Sequence, residues 1–362
     1  MSRSRHDGHG RIVLVMPGGG ALGAYQAGVY EALHGAGIEP DWVIGTSIGA
    51  INGALIAGNA PADRCGRMRE FWERVAQDSP LGSLATFTSG LPAFFVPRPL
   101  SWGGVKAQVG LDEASFYSTA PLRTTLSELL NLDRPTTRLT VGAVRVRDSG
   151  MRYFDSRKEP LSIDHVMASG ALPPAFPAIR IAKDAYWDGG VYSNPPIAAV
   201  LDDHPRRDSV IFSVNVWQPV GPEPQSIWEV MGREKDIQYA SRADSHIARQ
   251  KQIHHLRHVI RELARGLPQE KQDSAEMREL ASWGCGTIMH VVRLLAPALA
   301  SEDYLKDVDF SPAGIRARWQ CGLDDTRRTI EAAPWRAAVD PMEGIIVHEL
   351  SARTGAQVAV GS

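Results

Sequence analysis

Short, largely apolar runs, the first two closed by glycine or proline, set the rhythm of the first 216 residues. Arg11-Ile12-Val13-Leu14-Val15-Met16 stops at Pro17-Gly18, and Trp42-Val43-Ile44 stops at Gly45. Leu139 to Val146 and Asp208 to Val216 read as further strands. Runs without polar alternation are buried on both faces, which makes them parallel strands. Between them the apolar and small residues fall at helical spacing. Ala24, Ala27, Gly28, Ala32 and Leu33 lead to the stop at Gly35-Ala36-Gly37, and further helices read as Ile48 to about Gly58, Asp63 to Val75 and Ala120 to Leu132. Met151 to Asp155 pairs with the Leu139 strand as a hairpin. The alternation predicts an α/β fold, a mostly parallel central sheet flanked by helices.

The character changes after Gln218-Pro219-Val220-Gly221-Pro222-Glu223-Pro224, a stiff connector. Ser226 to Arg265 reads as one or two long helices, with Ile247, Ile253, Leu256, Ile260 and Leu263 near one stripe. Arg249, Lys251, His254, His255, His258 and Arg261 stand on another face, a solvated surface or a basic face for anionic lipid. His254 and His258 are one turn apart, yet no third ligand is identifiable, so no metal is expected. Thr287 to Leu295 reads as a strand returning to the sheet, and Ser311-Pro312 opens a helix carrying Ile315, Trp319, Leu323 and Ile330. The chain divides into a flexible tail (1–10), a core (11–216), a region of linker, long helices and returning strand (217–295), and a helical C-terminal extension (296–362), read as a packed appendage. Within the core, Ser79 to Gly110 lacks periodicity. Its Leu91-Pro92-Ala93-Phe94-Phe95-Val96-Pro97 is either a lid or channel wall or a segment packed across the sheet.

Composition narrows the setting. The 362 residues are 43% hydrophobic, enough for one large core, and the formal net charge of -2 supplies no bulk attraction to nucleic acid or anionic membrane. No nucleic-acid partner is expected, and any lipid contact must be local. Cys65, Cys285 and Cys321 are odd in number and lack metal-ligand spacing, which points to a reducing compartment. The apolar run near the N-terminus is committed to the first strand rather than to a secretory signal, and no stretch reaches the roughly 20 apolar residues of a membrane span. The expected location is cytoplasmic, with peripheral contact at a lipid surface left open.

Three motifs carry chemistry. Gly45-Thr46-Ser47-Ile48-Gly49 is a G-x-S-x-G pentapeptide between a strand and a helix, the context of a nucleophile elbow. Pro17-Gly18-Gly19-Gly20-Ala21-Leu22-Gly23 follows the first strand and can converge backbone N–H groups on an anion. Gly18, Gly20 and Gly23 also satisfy a dinucleotide fingerprint, but the second strand ends in Gly45-Thr46-Ser47 where that pattern expects an acid for the ribose. A glycine loop beside a serine elbow instead suits an oxyanion hole and acyl transfer. For the base, eleven histidines keep a Ser-His-Asp triad open by count. Asp188, in Tyr186-Trp187-Asp188-Gly189-Gly190 before Tyr192-Ser193-Asn194-Pro195-Pro196, is either a desolvated base or a turn former.

Taken in order, the glycine loop, the elbow and Asp188-Gly189-Gly190 resemble the patatin-like phospholipase family. Ala168-Ser169-Gly170-Ala171-Leu172-Pro173-Pro174-Ala175-Phe176-Pro177 is similar to the family's small-residue and proline segment before its aspartate. The resemblance implies a patatin-like three-layer fold and a dyad in which Ser47 attacks an ester carbonyl and Asp188 takes its proton without histidine. It also implies an oxyanion hole of Gly18, Gly19 and Gly20, no cofactor or metal, and lipid or other acyl-ester substrates, with hydrolysis and acyl transfer to an alcohol sharing the machinery. A nucleotide-binding or non-catalytic membrane module is the different kind of answer. Pro17 and Leu22 stand where many members carry an acidic and a basic residue, so the hole rests on backbone donors. The tail Ser301 to Trp335 is similar to an extension of a bacterial subgroup.

Overall fold

Buried aliphatic runs and the glycines between them build one nine-stranded sheet in the computed structural model, which describes residues 10–77, 88–99, 108–192, 196–299, 302, 304–340 and 342–349. The tail before Gly10, parts of the Ser79–Gly110 segment and Ser193-Asn194-Pro195 lie outside the described residues. β1 (Arg11–Met16) and β2 (Trp42–Thr46) are buried at every position, with α1 (Gly23–Gly35) between them and α2 (Ile48–Ala57) and α3 (Arg64–Val75) after them. A small ribbon of β3 (Val96–Pro97) and β4 (Tyr117–Ser118) and helix α4 (Ala120–Leu129) precede β5 (Arg138–Arg145). β6 (Gly150–Asp155), α5 (Ile163–Ser169), β7 (Ile179–Ile181), β8 (Asp184–Asp188), α6 (Ala198–Leu201) and β9 (Ser209–Asn215) complete the core region.

The second part adds α7 (Ile227–Arg265), α8 (Gln269–Gln272), α9 (Ala275–Ser282), β10 (Met289–Leu295), α10 (Pro312–Ala332) and β11 (Ile345–Glu349). The strand order is β11-β10-β9-β1-β2-β5-β8-β7, with β6 on β5 off this path. Every neighbour from β11 to β5 is parallel, whereas β6, β7 and β8 join antiparallel. The returning strand is β10, as the sequence predicts. The C-terminal extension is not helical throughout, because β11 pairs with β10 and caps that end of the sheet.

Alternation along β1 separates the layers. Ile12, Leu14 and Met16 pack with α1, α2, α3 and the tail's Phe310 and Trp319, while Val13 and Val15 face Ile197, Val200 and Leu201 around α6 and Ile247 of α7. The tail is welded to α1 at a glycine crossing. A Cβ on Gly28 would lie 1.9 Å from the Trp319 carbonyl oxygen, and one on Gly322 would lie 2.1 Å from that of Tyr25. Tyr25 also donates its hydroxyl proton to Asp325 at 3.0 Å.

The long helix corrects its predicted face. Leu256 and Leu263 are 60% and 67% exposed, while His254 and His258 are buried with Ile247 and Gln250. Residues 247, 250, 254 and 258 share one helical face. Each imidazole reaches a main-chain carbonyl, His254 that of Leu201 and His258 that of Thr287, so burial leaves that nitrogen satisfied. Among the described residues no group of three or more His, Cys, Asp or Glu could hold a metal, and no helix is long and apolar enough to cross a membrane.

Candidate active site

Two strands meet head-on along one edge of β5. Thr46, the last residue of β2, pairs with Gly142, and Asp188, the last residue of β8, pairs with Ala143. β6 occupies the other edge at both positions, through Tyr153 and Arg152. β2 runs parallel to β5 and β8 antiparallel, so their C-terminal ends converge at successive residues. Ser47 and Asp188, 141 positions apart in the chain, are thereby brought to one cavity, close enough for the Ser47 side chain to lower the proton affinity of the Asp188 carboxyl.

Ser47 has φ 55° and ψ -125°, the left-handed strain expected of an elbow between β2 and α2. The flanking glycines are needed because backbones touch there. A Cβ on Gly45 would sit 2.2 Å from the Gly49 carbonyl oxygen, and one on Gly49 would sit 2.2 Å from that of Met16. The Ser47 N–H donates to the carbonyl of Ser169 at 3.1 Å and to its hydroxyl oxygen at 3.0 Å, and that hydroxyl donates to the Gly142 carbonyl at 2.6 Å. Ser169 thus locks the elbow to β5. The sequence gives it no catalytic signature beyond its small-residue neighbourhood.

Asp188 is 2% exposed. Its N–H donates to Ala171 at 2.9 Å, and its Oδ1 accepts the Gly190 N–H at 2.7 Å. Burial pushes the carboxyl up to about 6, against the lowering effect of the Ser47 side chain and the Gly190 N–H. A carboxylate of that affinity is ionised at neutral pH and is a stronger base than an exposed aspartate.

The glycine loop lies at the same place. Gly20 has φ +54°, and a Cβ there would meet the Asp307 carbonyl oxygen at 2.1 Å. That carbonyl accepts the Ala21 N–H at 2.9 Å, while the Gly18 carbonyl accepts the Trp217 indole N–H at 2.8 Å. Among the described residues, the N–H groups of Gly19 and Gly20 have no partner. Gly18, Gly19, Gly20, Ser47 and Asp188 all line one cavity of about 160 Å³.

Its remaining wall is apolar and aromatic, including Ile51, Leu122, Met167, Leu172, Phe94, Phe95 and Phe176. Phe94 and Phe95 settle the reading of the Leu91–Pro97 segment: it packs over the core and is at once the channel wall. Among the described residues no histidine, lysine or arginine lines the cavity. A phosphate would find the carboxylates of Asp188 and Asp307 among the lining residues. Trp217, Tyr239, Asp307, Val308 and Phe310 also line it, all from beyond residue 216. The tail is therefore part of the site and not only a packed appendage. Phe310 lies between Trp72 and Phe94, with ring centroids at 6.2 and 6.0 Å, a contact that no local pattern announces.

Comparison with known proteins bears on the family of the chain. A family model described as patatin-like phospholipase matches residues 14–201, and a second, described as patatin phospholipase, matches residues 237–342. A lysophospholipase nte1 of Aspergillus terreus is 52% identical over 68 residues, which are 18% of this chain and 4% of that protein. Patatin-like phospholipase domain-containing protein 6 of Mus musculus is 28% identical over 187 residues, 51% of this chain and 12% of its own. The chain thus spans no more than 12% of the length of either relative. Among solved structures, VipD from Legionella pneumophila aligns over 90% of this chain and 67% of its own at 14% identity and a TM-score of 0.38. With the first match alone covering more than half of the 362 residues, this chain belongs to the patatin-like phospholipase family.

Proposed function

We propose that the protein is a serine acyl hydrolase of lipid esters that works through a Ser47–Asp188 dyad. Asp188 accepts the hydroxyl proton as Ser47 attacks the ester carbonyl. The tetrahedral oxyanion is held by the N–H groups of the Gly18-Gly19-Gly20 loop, with no cationic side chain among the described lining residues to assist. Collapse expels the alcohol, which takes the proton from Asp188, and leaves an acyl-enzyme. Water then gives a proton to Asp188, attacks the acyl carbon and releases the acid, and the proton returns to Ser47. A cavity whose described lining is mostly apolar and carries no basic residue suits an acyl chain better than an anionic head group.

The observation that carries the reading is a serine in a strained elbow that lines the same cavity as a buried carboxylate of raised proton affinity. A fluorophosphonate probe is expected to label the wild type and to leave Ser47→Ala unlabelled. Purified wild type should hydrolyse members of a lipid and lysolipid panel, with turnover in Ser47→Ala lower by about 10³-fold or more. Labelling that persists in Ser47→Ala would refute the nucleophile assignment.

A further inference from the structure

Four charged side chains outside the elbow and the glycine loop form a crossed clasp. Lys235 and Asp236 are consecutive on α7, and Lys306 and Asp307 are consecutive before α10. Lys235 Nζ donates to the two Asp307 carboxylate oxygens at 2.8 and 3.0 Å, and Lys306 Nζ to those of Asp236 at 2.7 and 2.9 Å. Asp236 and Lys306 are buried, and Asp236 Oδ1 also accepts the Gln218 N–H at 3.0 Å. Consecutive residues of a helix project about 100° apart, so two crosswise pairs restrain the facing segment in rotation as well as in position.

The clasp holds both ends of the loop. At one end the Asp307 carbonyl takes the Ala21 N–H and occupies the space a Cβ at Gly20 would need. At the other, the Lys306 ammonium lies 5.6 Å from the centre of the Trp217 ring, whose N–H donates to the Gly18 carbonyl. Trp217 also stacks on Tyr239 of α7 at 4.7 Å. Neither lysine lines the cavity, so each reaches the chemistry only through these intermediaries.

We infer that Lys235 and Lys306 are positioning residues, which fix the Asp307 carbonyl and the Trp217 indole and so aim the Gly19 and Gly20 amides at the oxyanion. The inference rests on the acyl-hydrolase reading above for what the loop binds. Donor alignment matters because a displaced amide contributes little to a transition state whose charge appears at one point.

Lys235→Met, Lys306→Met and their arginine counterparts test it, in the full chain. The readouts are hydrogen exchange at the Ala21 amide and steady-state hydrolysis of p-nitrophenyl butyrate, a short neutral ester. Expected for each methionine variant are faster Ala21 exchange, a kcat lower by about 10-fold and a KM within about twofold of wild type, with both effects largely reversed by arginine. The inference is overturned if folded methionine variants keep wild-type exchange at Ala21, if kcat is unchanged, if the loss falls in KM, or if arginine fails to restore. Should Lys306→Met not fold, Lys235→Met decides alone, since its pair is partly exposed. Absence of Ser47-dependent turnover in the wild type would instead refute the hydrolase reading, and Ala21 exchange would then decide the clasp's hold on the loop.

Discussion

The strands that carry Ser47 and Asp188 and the C-terminal tail contribute to one cavity by opposite means. β2 and β5 are almost wholly buried, and their register, with that of β5 and β8, brings Ser47 and the Asp188 carboxylate together. The tail reaches the same cavity through side chains: a glycine crossing, a ring inserted between two others, and ion pairs to a helix about 70 residues earlier. Continuous burial is robust and leaves a periodic trace. Discrete long-range contacts are individually replaceable and leave almost none.

Substitutions can separate the two modes. The largest effect is expected from Asp188→Asn, which should lower kcat by about 10³-fold while keeping the fold. In the wild type, activity should rise with pH through about 6 as Asp188 loses its proton. Stability moves the other way, because the folded carboxyl binds its proton more tightly than an unfolded aspartate. Relative to the wild type, Asp188→Asn should therefore gain about 1–3 kcal/mol as pH rises from about 4 to 6 and hold that gain above it. Urea unfolding at several pH values checks the sign, and a gain confined to low pH would contradict the burial argument.

In the tail, Phe310→Ala should cost about 3–4 kcal/mol of stability and raise KM, since the ring both fills the core and lines the cavity. Thermal denaturation with steady-state kinetics measures both, and an unchanged KM would mean the tail supports the site without shaping it. Gly322→Ala is expected to cost about 2–3 kcal/mol by forcing α10 off the α1 backbone. Limited proteolysis should then release the tail before the core. The smallest effect belongs to Leu256→Ser, within about 0.5 kcal/mol, because that leucine faces solvent. A loss like that of a core leucine would show the exposed face of α7 to be covered in solution.

The contrast also explains what was legible beforehand. The sheet, the elbow, the glycine loop and Asp188 could be read because each needs residue types that local geometry enforces: β-branched runs for buried strands, glycines where backbones touch, a small residue at a positive φ. The buried face of α7 departs from the sequence pattern for a related reason. His254 and His258 look polar in sequence, and only the carbonyls of Leu201 and Thr287, 53 and 29 positions away, make their burial favourable. Ser169 was visible only as one of several small residues, since its role lies in two hydrogen bonds to segments more than 25 residues distant. β11 escaped notice because a five-residue strand at the end of a sheet, with only Ile345 buried, lacks the continuous apolar run of its neighbours.

The short hold on β8 has a bearing on how the molecule loses reactivity. That strand is tied to β5 by three residue pairs and to β7 by three, whereas β2 has four partners on β1 and five on β5. The carboxylate thus rides on the more weakly anchored of the two converging strands. Fraying there would part the carboxylate from Ser47 while leaving the elbow intact, so on the proposed dyad heat or denaturant is expected to cost activity first at the junction of β5 and β8.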